Sequence, residues 1–282
     1  MDSNSQQVGT IEKDLPLDGR SCYLRKLIVL GLEGTKKGHV GSALSLVEII
    51  RVLYDDIMRY RPHEPLWPER DRFILSKGHG CLALYAMLAD KGFIGVDELK
   101  TYTLEGSRLG GCSENTVPGV EATTGALGHG FSVGVGMAIA ARIQKRPSRV
   151  YAVLGDGELN EGSIWEAALC AAKHKLSHLT AIIDRNKFQI AGSTKDILNL
   201  EPLKDKWVSF GFATQEVDGH DVEALRNIFK KLPFSDDKPS AIICHTVKGK
   251  GISFAEGTYK WHWKSGLDEA MISKMRSLLG NE

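Results

Sequence analysis

The stretch Arg149-Val-Tyr-Ala-Val-Leu-Gly-Asp-Gly-Glu-Leu-Asn-Glu161, answered by Leu179-Thr-Ala-Ile-Ile-Asp-Arg-Asn-Lys187, decides the fold. Residues 150–154 and 179–183 are short apolar runs ended by polar and glycine residues, and each reads as a buried strand. Between them, Ser163 and Glu166 have the spacing of a capping box, and Ile164, Ala168, Leu169 and Ala172 mark the apolar face of a helix. A strand, a helix and a second strand make a parallel crossover, which brings both strand ends to one rim of a sheet. Asp156 and Asn186 are expected to meet on that rim.

Working outward, residues 21–34 and 44–58 carry apolar side chains at helical spacing and read as two amphipathic helices. Residues 72–75 form a strand that runs into Ser76-Lys-Gly-His-Gly80, and 82–88 look helical again. Beyond the central crossover, a strand at 212–217, a helix at 221–232 and a strand at 241–244 continue the alternation. The expected fold is α/β, a three-layer domain with a mostly parallel sheet flanked by helices, binding its ligand at the carboxyl ends of the strands. No Pro-rich linker or fixed-period repeat interrupts it, so residues 1–15 read as a flexible polar tail and 16–282 as one domain.

Composition narrows the function. Among 282 residues, 36 Lys and Arg face 35 Asp and Glu, a balance that offers no broad field for nucleic acid or an anionic membrane. Five cysteines, an odd number without a CxxC pair, favour reduced thiols in a cytoplasm over a disulfide framework or a zinc site. No apolar run approaches the roughly 20 residues that span a bilayer, and the polar N-terminus lacks the features of a secretory signal. A soluble, cytoplasmic protein is expected.

The rim residues suggest a chemistry. One carboxylate and one amide oxygen, each after a strand, suit a hard cation such as Mg2+, which takes few protein ligands and completes its shell with phosphate and water. Gly155 and Gly157 would let backbone N–H groups approach phosphate oxygens closely; the competing reading is a tight turn. The Gly-rich loop at 119–130 either walls a cofactor ring or makes a tight connection into a helix whose small residues include Gly134, Gly136 and Ala138. His39, His79, His129 and His262 sit in loop-like contexts, where several imidazoles on one rim would suit proton exchange or binding of hydroxyl and carbonyl oxygens. His174 and His178, spaced as a metal pair, read instead as a solvated helix end, and Lys248-Gly-Lys-Gly251 reads as solvated surface rather than a loop over the site.

With these motifs in family order, the chain after its tail resembles the N-terminal, diphosphate-binding half of transketolase, and especially the separate N-terminal subunit of split transketolases. The carrying segments are Gly-Asp156-Gly through Asp184-Arg-Asn186-Lys, Gly-His39-Val-Gly, Leu-Ser-Lys-Gly-His79-Gly, Pro-Gly-Val-Glu-Ala-Thr-Thr-Gly125-Ala-Leu127-Gly-His-Gly, Val-Asp-Gly-His220-Asp, and Thr-Val-Lys248-Gly-Lys-Gly-Ile-Ser-Phe254 leading to His262. The resemblance implies thiamine diphosphate with Mg2+, or another divalent cation such as Ca2+ or Mn2+, held by Asp156, Asn186 and the backbone carbonyl of Phe188. It also implies that Gly125, Gly155 and Gly157 lie against the cofactor and that Leu127 borders its aminopyrimidine. His39, His79 and His262 would surround the thiazolium and substrate as catalytic residues, with His79 and His262 also contacting cofactor. Glu161 matches a glutamate at the cofactor-binding contact between subunits.

Two departures bear on substrate. Gly111-Cys112-Ser113-Glu114 stands where transketolases read Gly-His-Pro-Glu, which puts a cysteine at a substrate-facing position, and Trp263 follows His262 where the family usually has glycine. The chain is also too short for the pyrimidine-binding domain. The resemblance therefore implies a separate subunit like the C-terminal part of transketolase, in an α2β2 heterotetramer acting on ketose and aldose sugars or sugar phosphates. The expected activity is transfer of a two-carbon ketol unit. A specialised acyl or ketol transfer in a sugar or secondary-metabolite pathway, and a non-catalytic scaffold or regulatory subunit, remain as alternatives.

Overall fold

The computed structural model describes residues 16–280; the tail expected at 1–15 lies outside them. In chain order the elements are α1 (Gly19–Thr35), β1 (Lys37–Gly38), α2 (Val40–Leu44), α3 (Val47–Val52), β2 (Arg72–Leu75), α4 (Cys81–Asp90) and α5 (His129–Ile143). There follow β3 (Val150–Gly155), α6 (Gly162–Lys173), β4 (Leu179–Arg185), α7 (Thr194–Ile197), α8 (Leu203–Ser209), β5 (Ala213–Asp218), α9 (Val222–Phe229), β6 (Ser240–His245), β7 (Lys264–Ser265) and α10 (Glu269–Leu278). Aspartates start several helices: Asp18, Asp221 and Asp268 each accept a backbone N–H from the first turn, satisfying a donor that the helix leaves free.

Five strands form one sheet in the order β2-β3-β4-β6-β5, every pair parallel. A separate antiparallel pair joins β1 to β7. Because side chains alternate along a strand, the sheet feeds two cores. Phe73, Leu75, Tyr151, Val153, Ile182 and Ile242 pack into the layer that holds α1–α4, α9 and α10. Ile74, Val150, Ala152, Leu154, Ile183 and Ile243 face α5, α6 and α8, with Phe131 and Trp207 stacked edge-on beneath them. Covering both faces is what continuous apolar strands require, since each fully buried Val, Leu or Ile contributes roughly 1.5–3 kcal/mol.

Two local expectations differ. The region 44–58 is not one amphipathic helix: α2 ends at Leu44, α3 starts at Val47, and a π-helical turn over Leu53–Ile57 closes the segment. It is buried almost all round, because α4 and α9 pack against α3 and leave no solvent face over its length. The capping box at Ser163 and Glu166 is also absent. Glu161 occupies the N-cap of α6 without a side-chain bond, while Ser163 lies inside the helix and donates through Oγ to Gly128 O at 3.2 Å.

With all five strands parallel, their carboxyl ends share one rim. Ser76-Lys77, Asp156, Asn186 and Thr246 follow β2, β3, β4 and β6 there.

Candidate active site

A cavity of about 360 Å3 opens on this rim, lined in part by His39, His79, Asp156, Asn186, Lys248 and His262. Gly125, Leu127, Gly155, Gly157, Phe188 and Cys112 also line it, so eleven of the twelve site residues expected from the sequence converge on one space. Glu161 is the exception. It is exposed and lies outside the cavity wall, at the start of α6.

A buried carboxylate stands at one end of the cavity. Asp156 is 2% exposed, and its carboxylate accepts Gly157 N at 2.8 Å and Lys187 N at 2.5 Å. Among the described residues it has no ion-pair partner, and burial, with the charge of Asp184 adding, pushes its pKa up to about 6. A carboxylate so placed fits a divalent ion, which would repay its desolvation. Asn186 donates through Nδ2 to Asp184 Oδ2 at 3.2 Å, an arrangement that turns its amide oxygen toward Phe188 N at 3.1 Å. No group of three or more His, Cys, Asp and Glu among the described residues could hold a metal, so an ion here would need the amide, a main-chain carbonyl and ligand oxygens.

Asp184 is the hidden support of this end. It is fully buried, forms an ion pair with Lys77, and accepts Ser45 Oγ at 2.8 Å and Thr246 Oγ1. Burial alone would raise its pKa; Lys77 and the two hydroxyls hold it below the ordinary value instead. At Gly155 an added Cβ would meet only Lys77 carbons at 3.6 Å or more, leaving the cavity floor open to a ligand, whereas at Gly157 it would stand 2.9 Å from Gln189 Cγ.

The other end holds three imidazoles. The ring centroids of His39, His79 and His262 are 5.0–5.4 Å apart. Burial lowers all three pKa values, to about 4 for His39 and about 3 for His262 and well below the ordinary value for His79, with nearby Lys248 and Lys77 contributing. They are therefore neutral at pH 7, able both to donate and to accept. Among the described residues, His39 Nδ1 and Gln189 Nε2, both of residues in the cavity wall, are buried without a hydrogen-bond partner. Trp263 packs its ring 4.6 Å from that of His39 while remaining 43% exposed.

The Gly-rich loop makes the tight connection into a helix, and it also lines the cavity. Gly125 and Leu127 wall the cavity, while Gly128, at φ 85°, turns the chain into α5, and Gly130 lies so close to Ser76 that a Cβ would come within 2.6 Å of its Cα. Glu158 ties these parts together, accepting Ser76 Oγ at 2.5 Å and the N–H groups of Gly128 and Gly155 at 3.0 Å.

Lys77, Glu158, Asp184, Gln189 and Lys248 were not singled out by sequence reasoning. Lys77, Glu158, Asp184 and Lys248 had only their position inside the motif segments as a signal, and Gln189, which lies outside those segments, had none. The lysine segment at 248–251 is a correction: Lys248 is 1% and Lys250 7% exposed, and Lys248 reaches the cavity. Its loop passes under the site, pinned by Val247 N to His220 Nε2 at 2.8 Å and by Gly249 N to Gly41 O at 3.1 Å. His129 lies exposed outside the cavity; His174 is exposed at the C-cap of α6, and His178 bonds Ala138 O at 2.8 Å.

This rim defines a class. The family model described as "Transketolase, thiamine diphosphate binding domain" matches residues 21–282, and the chain belongs to that family. It is the N-terminal, thiamine diphosphate-binding part of a transketolase, a component of a thiamine diphosphate-dependent transferase. It is similar to one subunit of the apulose-4-phosphate transketolase of Phocaeicola vulgatus, at 46% identity over 84% of this chain and 85% of that one. A 6-deoxy-6-sulfo-D-fructose transketolase subunit of a Clostridium species is 42% identical over 92% and 97% of the two chains. Among solved structures, transketolase from Leishmania mexicana superposes with a TM-score of 0.86 at 36% identity, over 94% of this chain and 41% of that one. The chain thus spans about two fifths of that transketolase. Among the described residues no helix is long and apolar enough to cross a membrane.

Proposed function

We propose that this chain is the diphosphate-binding subunit of a split, cytoplasmic transketolase that moves a two-carbon ketol unit from a ketose to an aldose. The observation that carries the reading is the one cavity in which Asn186 and a buried Asp156, without an ion-pair partner among the described residues, stand at one end and three neutral imidazoles at the other. When bound, thiamine diphosphate supplies the electron sink for breaking a carbon–carbon bond beside a ketone.

The chain's own residues would do the rest. Asp156, Asn186 and the carbonyl of Phe188 would hold Mg2+, or Ca2+ or Mn2+ in its place, and Gly155 and Gly157 would admit the diphosphate. Gly125 and Leu127 would border the cofactor's rings. His39 and His79, neutral and close-packed, would orient sugar hydroxyls and carbonyls and take up or return a proton during transfer, with His262 beside them. A separate subunit resembling the C-terminal part of transketolase would complete the site, with Glu161 at the contact and an α2β2 assembly. The relatives named as subunits, which match this chain over most of their length, support that partnership.

A second reading, a specialised sugar or sugar phosphate as substrate, is favoured by Cys112 in the cavity wall and by Trp263 packed on His39. The names of the two similar chains, which refer to a sugar phosphate and a sulfonated sugar, are in keeping with it. The test is to co-express the chain with its C-terminal partner, then to assay two-carbon transfer from a panel of ketoses, phosphorylated and not, to aldose acceptors. Transfer that needs both chains and thiamine diphosphate supports the proposal; a saturable complex with no transfer from any donor would return the scaffold reading.

A further inference from the structure

A second cavity, of about 440 Å3, lies at the opposite end of the sheet, lined in part by Arg142, Lys145, Arg146, Ser148, Arg149 and His178. Ser148 and Arg149 lead directly into β3 and His178 into β4, so the cavity sits at the amino ends of these strands. The six residues of β3, Val150–Gly155, put roughly 20 Å of strand between it and Asp156. The segment that builds most of its wall, Arg142-Ile-Gln-Lys-Arg-Pro-Ser-Arg149, holds four cations and no acid. Among the described residues no Asp or Glu lines the cavity at all.

One of these cations has a structural task. Arg142, in the last turn of α5, donates to His174 O at the C-cap of α6, and a cation at a helix C-terminus needs no ligand to explain it. Lys145, Arg146 and Arg149 form no ion pair among the described residues; Arg146 makes one long bond, Nη1 to Pro68 O at 3.4 Å. Asp71, the carboxylate that holds this loop, is already taken up: it accepts Arg149 N at 2.8 Å, Arg59 N at 2.9 Å and Arg59 Nη2 at 3.0 Å. The loop itself is well tied. Arg146 N donates to Ala141 O at 2.9 Å and Lys145 N to Arg142 O at 3.0 Å, the paired bonds of a Schellman turn, while Arg59 Nη2 holds Pro147 O at 2.7 Å. Within this cationic segment Ser148 is 2% exposed, and its Oγ is buried without a hydrogen-bond partner among the described residues. A buried hydroxyl left unpaired opposes folding, and a ligand oxygen would satisfy it.

We propose that this cavity is a second ligand site, one that binds a small phosphate-bearing anion. Arg146 and Arg149 offer planar forks that match phosphate oxygens in pairs, Lys145 adds a point charge, and Ser148 Oγ supplies a hydrogen-bond donor. The volume suits a phosphate ester as well as phosphate alone. Because the whole chain carries a formal charge of only +1, the attraction is local to the pocket rather than a field that gathers nucleic acid or lipid. The site does not depend on the proposed function, since none of its lining residues belongs to the rim cavity.

The test uses the full chain with 15N-labelled histidine. Inorganic phosphate, glycerol 3-phosphate and AMP are each titrated at pH 7 without added metal, following the side-chain signals of His178, in the wall of this cavity, and of His39, in the rim cavity. Saturable movement of His178 is the expected result. Similar affinities for all three probes identify phosphate itself as the group that is read, and tighter binding of an ester identifies a phosphorylated metabolite. Arg146→Gln combined with Arg149→Gln should weaken the affinity read at His178 about tenfold or more. Ser148→Ala should weaken it about threefold while leaving the urea midpoint of the free chain unchanged or higher, because no native bond is lost; a lower midpoint with unchanged affinity would overturn the role of Ser148. Movement of His39 alone, no saturable response at His178 to any probe, or the same response to chloride at equal ionic strength would overturn the site. Retention by phosphatidylserine vesicles or an RNA oligomer, without phosphate binding, would overturn it in favour of a macromolecular surface. Binding that disappears in the mixture with the C-terminal partner would overturn it by reassigning this face to the subunit contact.

Discussion

Replacing Asp184 with asparagine isolates the support beneath the Asp156 end of the cavity. The side chain keeps its shape, but its single carbonyl oxygen can accept from only one of Ser45 and Thr246, which bond opposite oxygens of the aspartate, and Lys77, 1% exposed beside a carboxylate that is 0% exposed, is left as a buried charge without its ion-pair partner. Breaking a buried pair by removing one partner costs about 3–5 kcal/mol. With a urea m-value of roughly 3 kcal/mol/M for a domain of this size, the unfolding midpoint should fall by about 1–1.7 M. The half-exposed pair Arg226–Asp56, at 2.7 Å and with 28% and 29% of its side chains exposed, is the internal control: Asp56→Asn should cost no more than about 1 kcal/mol. Adding Lys77→Met to Asp184→Asn removes the orphaned charge and should restore part of the loss, a coupling that a double-mutant cycle reads directly. Asp184→Asn midpoints within the range of Asp56→Asn would refute the claim that a buried ion pair underpins this rim.

Other outcomes follow from neighbouring groups. Asp156→Ala should abolish Mg2+-dependent thiamine diphosphate binding while leaving the far-ultraviolet circular dichroism unchanged; retained binding would sink the metal assignment. Glu158→Ala removes the acceptor for Ser76, Gly128 and Gly155 and should destabilise the chain by at least about 2 kcal/mol in urea. Cys112→His should change the ranking of ketose donors in the two-chain assay, and identical kinetics for every donor would discard Cys112 as a specificity residue. His39, His79 and His262 have depressed pKa values, so below pH 6.5 the unfolded chain binds protons that the native chain refuses, and stability falls as pH drops toward 4 for His39 and 3 for His262. The triple variant with asparagine at these positions should show a flatter fall in midpoint over that window than the wild type.

How much of this was legible depended on whether the signal was local. The strands at 150–154 and 179–183 carry their own pattern, and a parallel crossover has one geometry, so Asp156 and Asn186 could be placed on one rim from the sequence. Lys248 could not. A lysine in a Lys-Gly-Lys-Gly run reads as solvated, and its burial comes from the clamp of Arg25, Glu48 and His220, contributed from far along the chain. Asp184, two residues before the expected ligand Asn186, looked like the end of a strand because its partners, Lys77, Ser45 and Thr246, arrive from three other segments. The break between Leu44 and Val47 was hidden for a related reason: apolar residues continue through it, and only the surrounding helices decide where the axis bends. Ser163 and Glu166 matched a capping pattern, but the hydroxyl is used across the site, on Gly128, instead of on its own helix.

The central claim is an incomplete cofactor site that a second subunit completes. Isothermal titration of thiamine diphosphate with Mg2+ into this chain alone, and then into its mixture with the C-terminal transketolase partner, tests it most directly. Tight binding in the mixture and little or none by the chain alone is the predicted result. No binding in either state would contradict the account, leaving a transketolase fold that has kept Asp156 and Asn186 without their ligand.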